Sequence, residues 1–147
     1  MKNIDKALCG FYLTEISLIS QEIMASSERP ILLKDIQKIL SADIILDNEW
    51  IDGKIQTVYC SDLMSDILSF GDSSSLLITS LINPQAIRTA EMVDIAAICF
   101  VHGKIPHQET IEMARNNEIV LLSTRYSMYE ACGRIYCARM SKSIDLS

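Results

Sequence analysis

The chain has 147 residues, of which 49% are hydrophobic, and its 13 basic and 19 acidic residues give a formal net charge of −6. This length and hydrophobicity predict one globular unit that can bury a core. The acidic balance argues against nucleic-acid binding, because phosphate contacts need a basic surface. No apolar run approaches the roughly 20 residues of a membrane span, and Asp5 and Glu15 interrupt what would be the apolar part of a secretory signal. We therefore expect a cytoplasmic protein that binds neither nucleic acid nor membrane.

Residues Asn3 to Ala25 predict one helix with a wide apolar stripe. The stripe consists of Ile4, Leu8, Phe11, Tyr12, Leu18, Ile19 and Ile23, which recur at helical spacing. Pro30 ends the pattern. We expect an amino-terminal helical extension at 1–29, an α/β domain at 30–140 and a flexible tail at 141–147. The stripe fits packing onto the following domain and fits a dimer or partner helix, and its pattern does not separate the two.

The next stretch is expected to hold short elements. Residues Leu32 to Leu40 predict a helix, and residues Ala42 to Leu46 predict a strand whose direction the pattern leaves open. We expect a loop at Trp50 to Gly53, since Asp-Gly is a turn pair.

Four apolar, β-rich runs then alternate with helix-like stretches. The runs are Lys54 to Cys60, Ser75 to Thr79, Ile95 to Val101 and Ile119 to Leu122. Strand, loop and helix in repetition predict βαβ units, hence an α/β layered domain with a mostly parallel sheet and flanking helices.

Helix starts follow three of these runs. One is expected at Ser61-Asp62, and another at Asn83-Pro84, where Asn is a cap residue and Pro suits the first turn. Ser127 and Glu130 have the spacing of a capping box for the last helix. The helix after Asn83 is expected to point Ile87, Ala90 and Met92 inward.

The five cysteines are odd in number and scattered: Cys9, Cys60, Cys99, Cys132 and Cys137. This set shows no CxxC pair and argues against a disulfide framework. Cys60 and Cys99 lie in predicted strands, where cysteine behaves as a small hydrophobe. We expect structural thiols; the alternative is an iron–sulfur or zinc site whose ligands come from distant loops.

Motifs of common catalytic sites are missing from the sequence. There is no phosphate-binding GxxxxGK[ST], no GxGxxG after a strand, no GxSxG and no HExxH, and the chain has only two histidines. We therefore expect no enzyme activity, no cofactor and no metal; phosphoryl transfer is the enzymatic alternative. A magnesium site at Asp62 would need more carboxylates than one.

The carboxyl ends of the parallel strands are the place to look for a ligand, because ligands bind there in such sheets. Helix starts offer unpaired N–H groups to an anion, and Arg88 and Arg125 lie close by in sequence. The candidate ligand-binding residues are Ser61, Asp62, Asn83, Arg88, His102, Gly103, Ser123 and Thr124. A nucleotide or other small anion is the candidate ligand. Ordinary helix capping explains the same residues, and Asp62 and Asp66 would oppose a highly charged anion.

Two stretches carry a resemblance to a known family. They are Cys60-Ser61-Asp62-Leu63-Met64-Ser65-Asp66 and Leu81-Ile82-Asn83-Pro84-Gln85-Ala86-Ile87-Arg88-Thr89-Ala90-Glu91-Met92, and the similarity continues to Cys132-Gly133-Arg134-Ile135-Tyr136. Over about residues 31 to 136 the chain resembles the small DRTGG-domain proteins, which are related to the amino-terminal domain of HPr serine kinase. The Asp-Arg-Thr-Gly-Gly motif itself is absent, so no ligand is carried over from it.

The resemblance implies a small α/β sandwich that acts as a non-catalytic dimerising or regulatory module. Stand-alone members are often linked to iron-only hydrogenase or energy-metabolism clusters in anaerobic bacteria, which implies a protein partner in energy or hydrogen metabolism. The first hypothesis is therefore a homodimeric regulatory or accessory module that acts through a partner. The alternative is a sensor that binds a nucleotide or other anion at the strand ends.

Overall fold

The computed structural model describes residues 29–141. The predicted helix at Asn3 to Ala25 and the end of the predicted tail lie outside this range. The strands, in chain order, are β1 (Ile31–Leu32), β2 (Asp43–Leu46), β3 (Lys54–Ile55), β4 (Thr57–Cys60), β5 (Ser75–Thr79), β6 (Ala97–Phe100) and β7 (Val120–Ser123). The helices are α1 (Leu33–Ile39), α2 (Met64–Phe70), α3 (Pro84–Met92), α4 (Gln108–Asn116) and α5 (Met128–Ser141), with a short 3-10 helix at Glu49–Asp52.

The main sheet has five strands in the order β2-β7-β6-β5-β4. Strands β4, β5, β6 and β7 are parallel, and β2 pairs antiparallel with β7 at one edge. Strand β4 forms the opposite edge. The mostly parallel α/β architecture expected from the sequence is confirmed.

Helices cover both faces of this sheet, which explains why the central strands are apolar throughout. Every residue of β5, β6 and β7 is buried, as parallel strands between two helical layers require. One core packs α1 and α5 against side chains such as Ile78 and Cys99. The other core packs α2, α3 and α4 against side chains such as Leu77 and Phe100.

The predicted run Lys54 to Cys60 is divided between two sheets. Strand β3 pairs antiparallel with β1, whereas β4 pairs with β5 in the main sheet. The break falls at Gln56, where Arg139 of α5 donates from Nη2 to the carbonyl oxygens of Gln56 at 3.0 Å and Ile55 at 3.4 Å. One long strand was therefore a wrong prediction, because a distant helix fixes the break.

Three local expectations also need correction. Trp50 lies in the 3-10 helix, and the backbone N–H of Trp50 donates to Asn48 Oδ1 at 2.7 Å, so this segment is a capped helical turn. Helix α2 begins at Met64 rather than at Ser61-Asp62. Met92 is 73% exposed, not inward, because it lies in the last turn of α3 on the side opposite Ile87.

Other sequence-predicted boundaries are confirmed. Asn83 caps α3 by accepting from the backbone N–H of Ala86 at 3.3 Å, and Pro84 occupies the first turn. The backbone N–H of Glu130 donates to Ser127 Oγ at 3.2 Å at the start of α5. Within residues 29–141, no helix combines the length and the apolar character needed to cross a membrane.

Two glycines give a matched test of this packing. A Cβ at Gly71, just after α2, would lie 2.6 Å from the carbonyl oxygen of Ile67 and 2.6 Å from Val93 Cγ2, whereas a Cβ at Gly133 inside α5 would meet nothing within 4 Å. We predict that Gly71→Ala lowers the free energy of unfolding by about 1–3 kcal/mol, the usual cost of overpacking. Gly133→Ala should raise it by about 0.5–1 kcal/mol, because alanine favours a helix over glycine. Urea denaturation measures both, and shifts of the same sign would contradict the packing described.

Candidate functional site

The carboxyl ends of the strands carry a hydrogen-bonded polar cluster centred on Asp62. Its carboxylate accepts from Thr79 Oγ1 at 2.7 Å, from the Ser80 N–H at 2.7 Å and from Ser80 Oγ at 2.6 Å. Lys104 Nζ donates to the Ser80 carbonyl oxygen at 3.0 Å. We call Asp62, Thr79, Ser80 and Lys104 the strand-end cluster. Asp62 therefore joins two strand ends rather than opening α2.

Ser123 and Thr124, also predicted as ligand-binding, use their hydroxyl groups within the fold. Ser123 Oγ donates to the Lys104 carbonyl oxygen at 2.8 Å, and Thr124 Oγ1 donates to the Leu40 carbonyl oxygen at 2.7 Å. Both side chains are buried. These two hydroxyls tie the end of β7 to the neighbouring loop and to the end of α1.

His102 and Gly103 form the turn after β6. Both have left-handed backbone conformations, with φ of 60° and 65°. Their N–H groups donate to the carbonyl oxygens of Tyr126 and Thr124 at 2.9 and 2.8 Å. The side chain of His102 is exposed, and these two backbone hydrogen bonds hold the turn in place.

The remaining predicted site residues lie around this end of the sheet. Ser61 Oγ accepts from the Leu63 N–H at 3.0 Å, and Asn83 is used as the cap of α3. Arg88 and Arg125 are exposed, and within residues 29–141 no hydrogen bond joins Arg88 to the strand-end cluster. The structure therefore brings Asp62, His102-Gly103, Ser123 and Thr124 together through Ser80 and Lys104, and leaves Arg88 apart on its helix.

The charge state of Asp62 follows from its contacts. Burial alone would raise the pKa of this carboxyl, but the hydrogen bonds from Ser80 and Thr79, with the nearby Lys104 ammonium, outweigh it and hold the pKa below its usual range. The cluster thus centres on a carboxylate that is ionised at neutral pH. Across the described part of the chain, no group of three or more His, Cys, Asp and Glu side chains could hold a metal ion.

A groove of about 840 Å³ lies elsewhere, between β4 and α5, and sequence reasoning missed it. We call it the β4 groove; its lining is Gln56, Thr57, Val58, Cys60, Tyr129, Cys132, Gly133, Ile135, Tyr136 and Arg139. This volume falls in the range of small-molecule pockets, about 300–1,000 Å³. None of the predicted ligand-binding residues lines the groove, although Cys60 precedes Ser61 in the sequence.

The groove exists because α5 packs mainly over β5 and covers the neighbouring edge strand only in part, so that Val58 of β4 is partly buried. Gly133 adds no side chain to fill the space. Tyr129 and Tyr136, one turn to either side of Gly133 along the helix, are 91% and 45% exposed. The groove wall is therefore aromatic and open to solvent.

Arg139 is the single charged residue in the lining. It is only 8% exposed and donates to the backbone carbonyls of Ile55 and Gln56. Burial lowers the pKa of this guanidinium from its usual value, although arginine stays protonated at neutral pH. The groove is otherwise uncharged.

Two thiols meet at the β4 groove. Cys60, at the end of β4, and Cys132, on α5, both line this groove. Interaction with the neighbouring thiol raises the pKa of Cys60 and lowers that of Cys132. Cys99 is buried, as expected for a small hydrophobe, and burial raises the pKa of its thiol to about 12. Cys60 and Cys137 are exposed, so Cys60 is not packed as the small hydrophobe that its strand position indicated.

Comparison with known proteins agrees with the fold. No protein-family model and no curated protein sequence matches the chain. A similar solved structure is that of the CBS and DRTGG domains of the regulatory region of Clostridium perfringens pyrophosphatase, complexed with its activator diadenosine tetraphosphate. The TM-score is 0.62 at 19% identity, over 76% of this chain and 47% of that one. The chain thus spans about half of that regulatory region, and the likeness supports a DRTGG-like fold.

One sequence signal could have pointed to the β4 groove. Tyr129, Gly133 and Tyr136 are spaced by four and three residues, which places them on one face of a helix. Two tyrosines around a glycine on an outward face are unusual, because glycine weakens a helix. The opposite face of the same helix buries Ala131 and Ile135.

The hydrogen bonds of Asp62 give a pH-dependent prediction. Because the pKa of Asp62 is lowered on folding, its contribution to stability is present above the unfolded value of about 3.9 and is lost as pH falls through the folded pKa. We expect Asp62→Asn to cost about 1 kcal/mol of unfolding free energy at pH 7, and to cost progressively less below pH ~3.9. Urea denaturation at several pH values measures this, with the exposed Asp47→Asn as the control. A cost that does not change with pH would contradict the assigned hydrogen bonds.

Proposed function

We propose that the chain is a non-catalytic regulatory module that acts by association, and that it forms a homodimer through β4 and the β4 groove. The observation that carries this proposal is the free outer edge of β4, the last strand of the sheet within residues 29–141. Main-chain N–H and C=O groups on such an edge are ready to pair with another strand. Exposed apolar side chains flank the edge on both faces: Tyr129 and Tyr136 on α5, and Leu63 and Phe70 at the two ends of α2.

A comparison of the two sheet edges favours β4 as the interface. Strand β2 has a register irregularity between Ile44 and Leu46 and an exposed charge at Asp43, which are devices that discourage edge pairing. Strand β4 reads Thr-Val-Tyr-Cys and pairs regularly with β5. It therefore carries neither device.

Symmetry and charge favour a second copy of the chain as the occupant. Identical edges pair antiparallel about a two-fold axis, which gives a closed, isologous dimer. Copies with a net charge of −6 repel each other, but the groove lining contains no acidic residue. The β4 surface is therefore a place where two copies can meet with little local repulsion.

The strand-end cluster supports a role without catalysis. Its carboxylate, hydroxyls and ammonium are engaged with one another or with the backbone, whereas a general base needs hydrogen-bond reach to a substrate proton. These contacts favour a structural role for the cluster, so regulation by association is the function that the geometry supports best.

The dimer is tested by changing the groove wall. We expect the wild-type chain to dimerise at micromolar concentration in sedimentation equilibrium, and Tyr129→Glu with Tyr136→Glu to weaken the dimer by roughly a hundredfold or more, because each tyrosine occurs twice in a two-fold interface. Ile44→Glu, an equally drastic change at the opposite edge, is the matched control. A wild-type monomer at all concentrations, or a dimer weakened by the control alone, would overturn the proposal.

A ligand sensor at the strand ends is the second candidate, and the neighbour's bound nucleotide activator favours it. The site would use Ser61, Asp62, Asn83, His102, Gly103, Ser123 and Thr124, with Arg88 holding the anion. A nucleotide could also act on association, since a ligand that prefers one state shifts its population.

A thermal-shift screen with nucleotides, dinucleoside polyphosphates and inorganic phosphate tests the sensor. A ligand at 100 times its Kd should stabilise the chain by about 2.7 kcal/mol, a rise of several degrees in Tm. Arg88→Ala should abolish this rise, while Arg115→Ala, a change of an exposed arginine on α4, should leave it unchanged. No change in Tm with any of these compounds, or a rise in Tm that persists in Arg88→Ala, would count against the predicted site.

A further inference from the structure

Two cysteines from distant parts of the sequence meet across the β4 groove. Cys60 ends the edge strand and Cys132 lies on α5, and both line the same open space. Each thiol lies close enough to the other to shift its pKa, upward for Cys60 and downward for Cys132. The groove is open to solvent beside the exposed Tyr129, so a small molecule can reach both sulfur atoms.

We propose that Cys60 and Cys132 form a reversible dithiol–disulfide site that reacts with small-molecule disulfides. The proposal goes beyond the proposed association and does not depend on it, since the two thiols belong to one copy of the chain. A bond between them would tie the end of β4 to α5 and close part of the β4 groove.

The chemistry is an ordinary thiol–disulfide exchange in two steps. Cys132, whose thiolate is favoured by the neighbouring Cys60 thiol, attacks the small disulfide, forms a mixed disulfide and releases one thiolate. Cys60 then loses its proton to solvent and attacks the sulfur of Cys132, which forms the internal disulfide and releases the second thiolate. The two cysteines lose two electrons, and the small disulfide is reduced to two thiols.

The other cysteines of the described residues provide internal controls. Cys137 is exposed on the same helix, so it can form a mixed disulfide, and no other thiol within residues 29–141 is assigned to resolve it. Cys99 is fully buried in β6, so it should not react in the folded chain. Three different outcomes are thus expected under the same conditions: a linked pair, a mixed disulfide and an unmodified thiol.

The test is oxidation of the full chain carrying Cys9→Ser with oxidised glutathione, at a dilution that separates copies, followed by intact mass and peptide mapping. We expect Cys60 and Cys132 to lose two hydrogen atoms as one linked pair, Cys137 to gain one glutathione and Cys99 to stay unchanged. Cys60→Ser should trap glutathione on Cys132. The oxidised chain should melt several degrees higher than the reduced one, because the bond joins segments far apart in sequence.

Two results would overturn the assignment. One is a chain in which Cys60 and Cys132 each carry glutathione, since this would show that the thiols do not resolve each other. The other is a chain in which both stay reduced under conditions that modify Cys137. Neither result bears on the homodimer, which is measured separately by sedimentation of the reduced chain.

Discussion

The uncovered edge strand β4 is the constraint on which the rest of this structure depends. Strands β5, β6 and β7 are sealed between two helical layers, and β2 closes one end of the sheet with an antiparallel pairing and an irregular register. At the other end, β4 is paired on one side only within residues 29–141. A regular edge leaves polar main-chain groups without strand partners. The groove, the exposed tyrosines and the thiol pair all lie along this edge.

Arg139 connects the edge to the helix that borders it. By donating to the carbonyl oxygens of Ile55 and Gln56, it fixes the point at which the chain leaves the small β1–β3 sheet and enters β4. A buried cation is costly unless its donors are bonded, so the position of α5 and the start of β4 are linked. The hydrogen bonds of Arg139 thus connect the break in the chain at Gln56, the packing of α5 and the β4 groove.

Much of the fold could be predicted because local signals agree with it. The apolar runs of β5, β6 and β7 and the cap at Asn83 are readable from neighbouring residues alone. The break at Gln56 and the β4 groove are not, since both depend on where α5 crosses the sheet, and that is decided by long-range packing. The sequence placed Ser123 and Thr124 at the carboxyl ends of the strands, where they lie, but the contacts that occupy their hydroxyls come from distant parts of the chain.

Hydrogen exchange at Thr57–Cys60, followed as a function of protein concentration, tests the central claim most directly. If β4 pairs with a second copy, the outward-facing amides of this strand should exchange slowly at concentrations where the chain is dimeric and rapidly on dilution, while the amides of β6 stay protected throughout. An exchange rate of the β4 amides that does not change with concentration would contradict the account. Slow exchange at all concentrations would show that the edge is covered within a single chain, and fast exchange would show that it is left open to solvent.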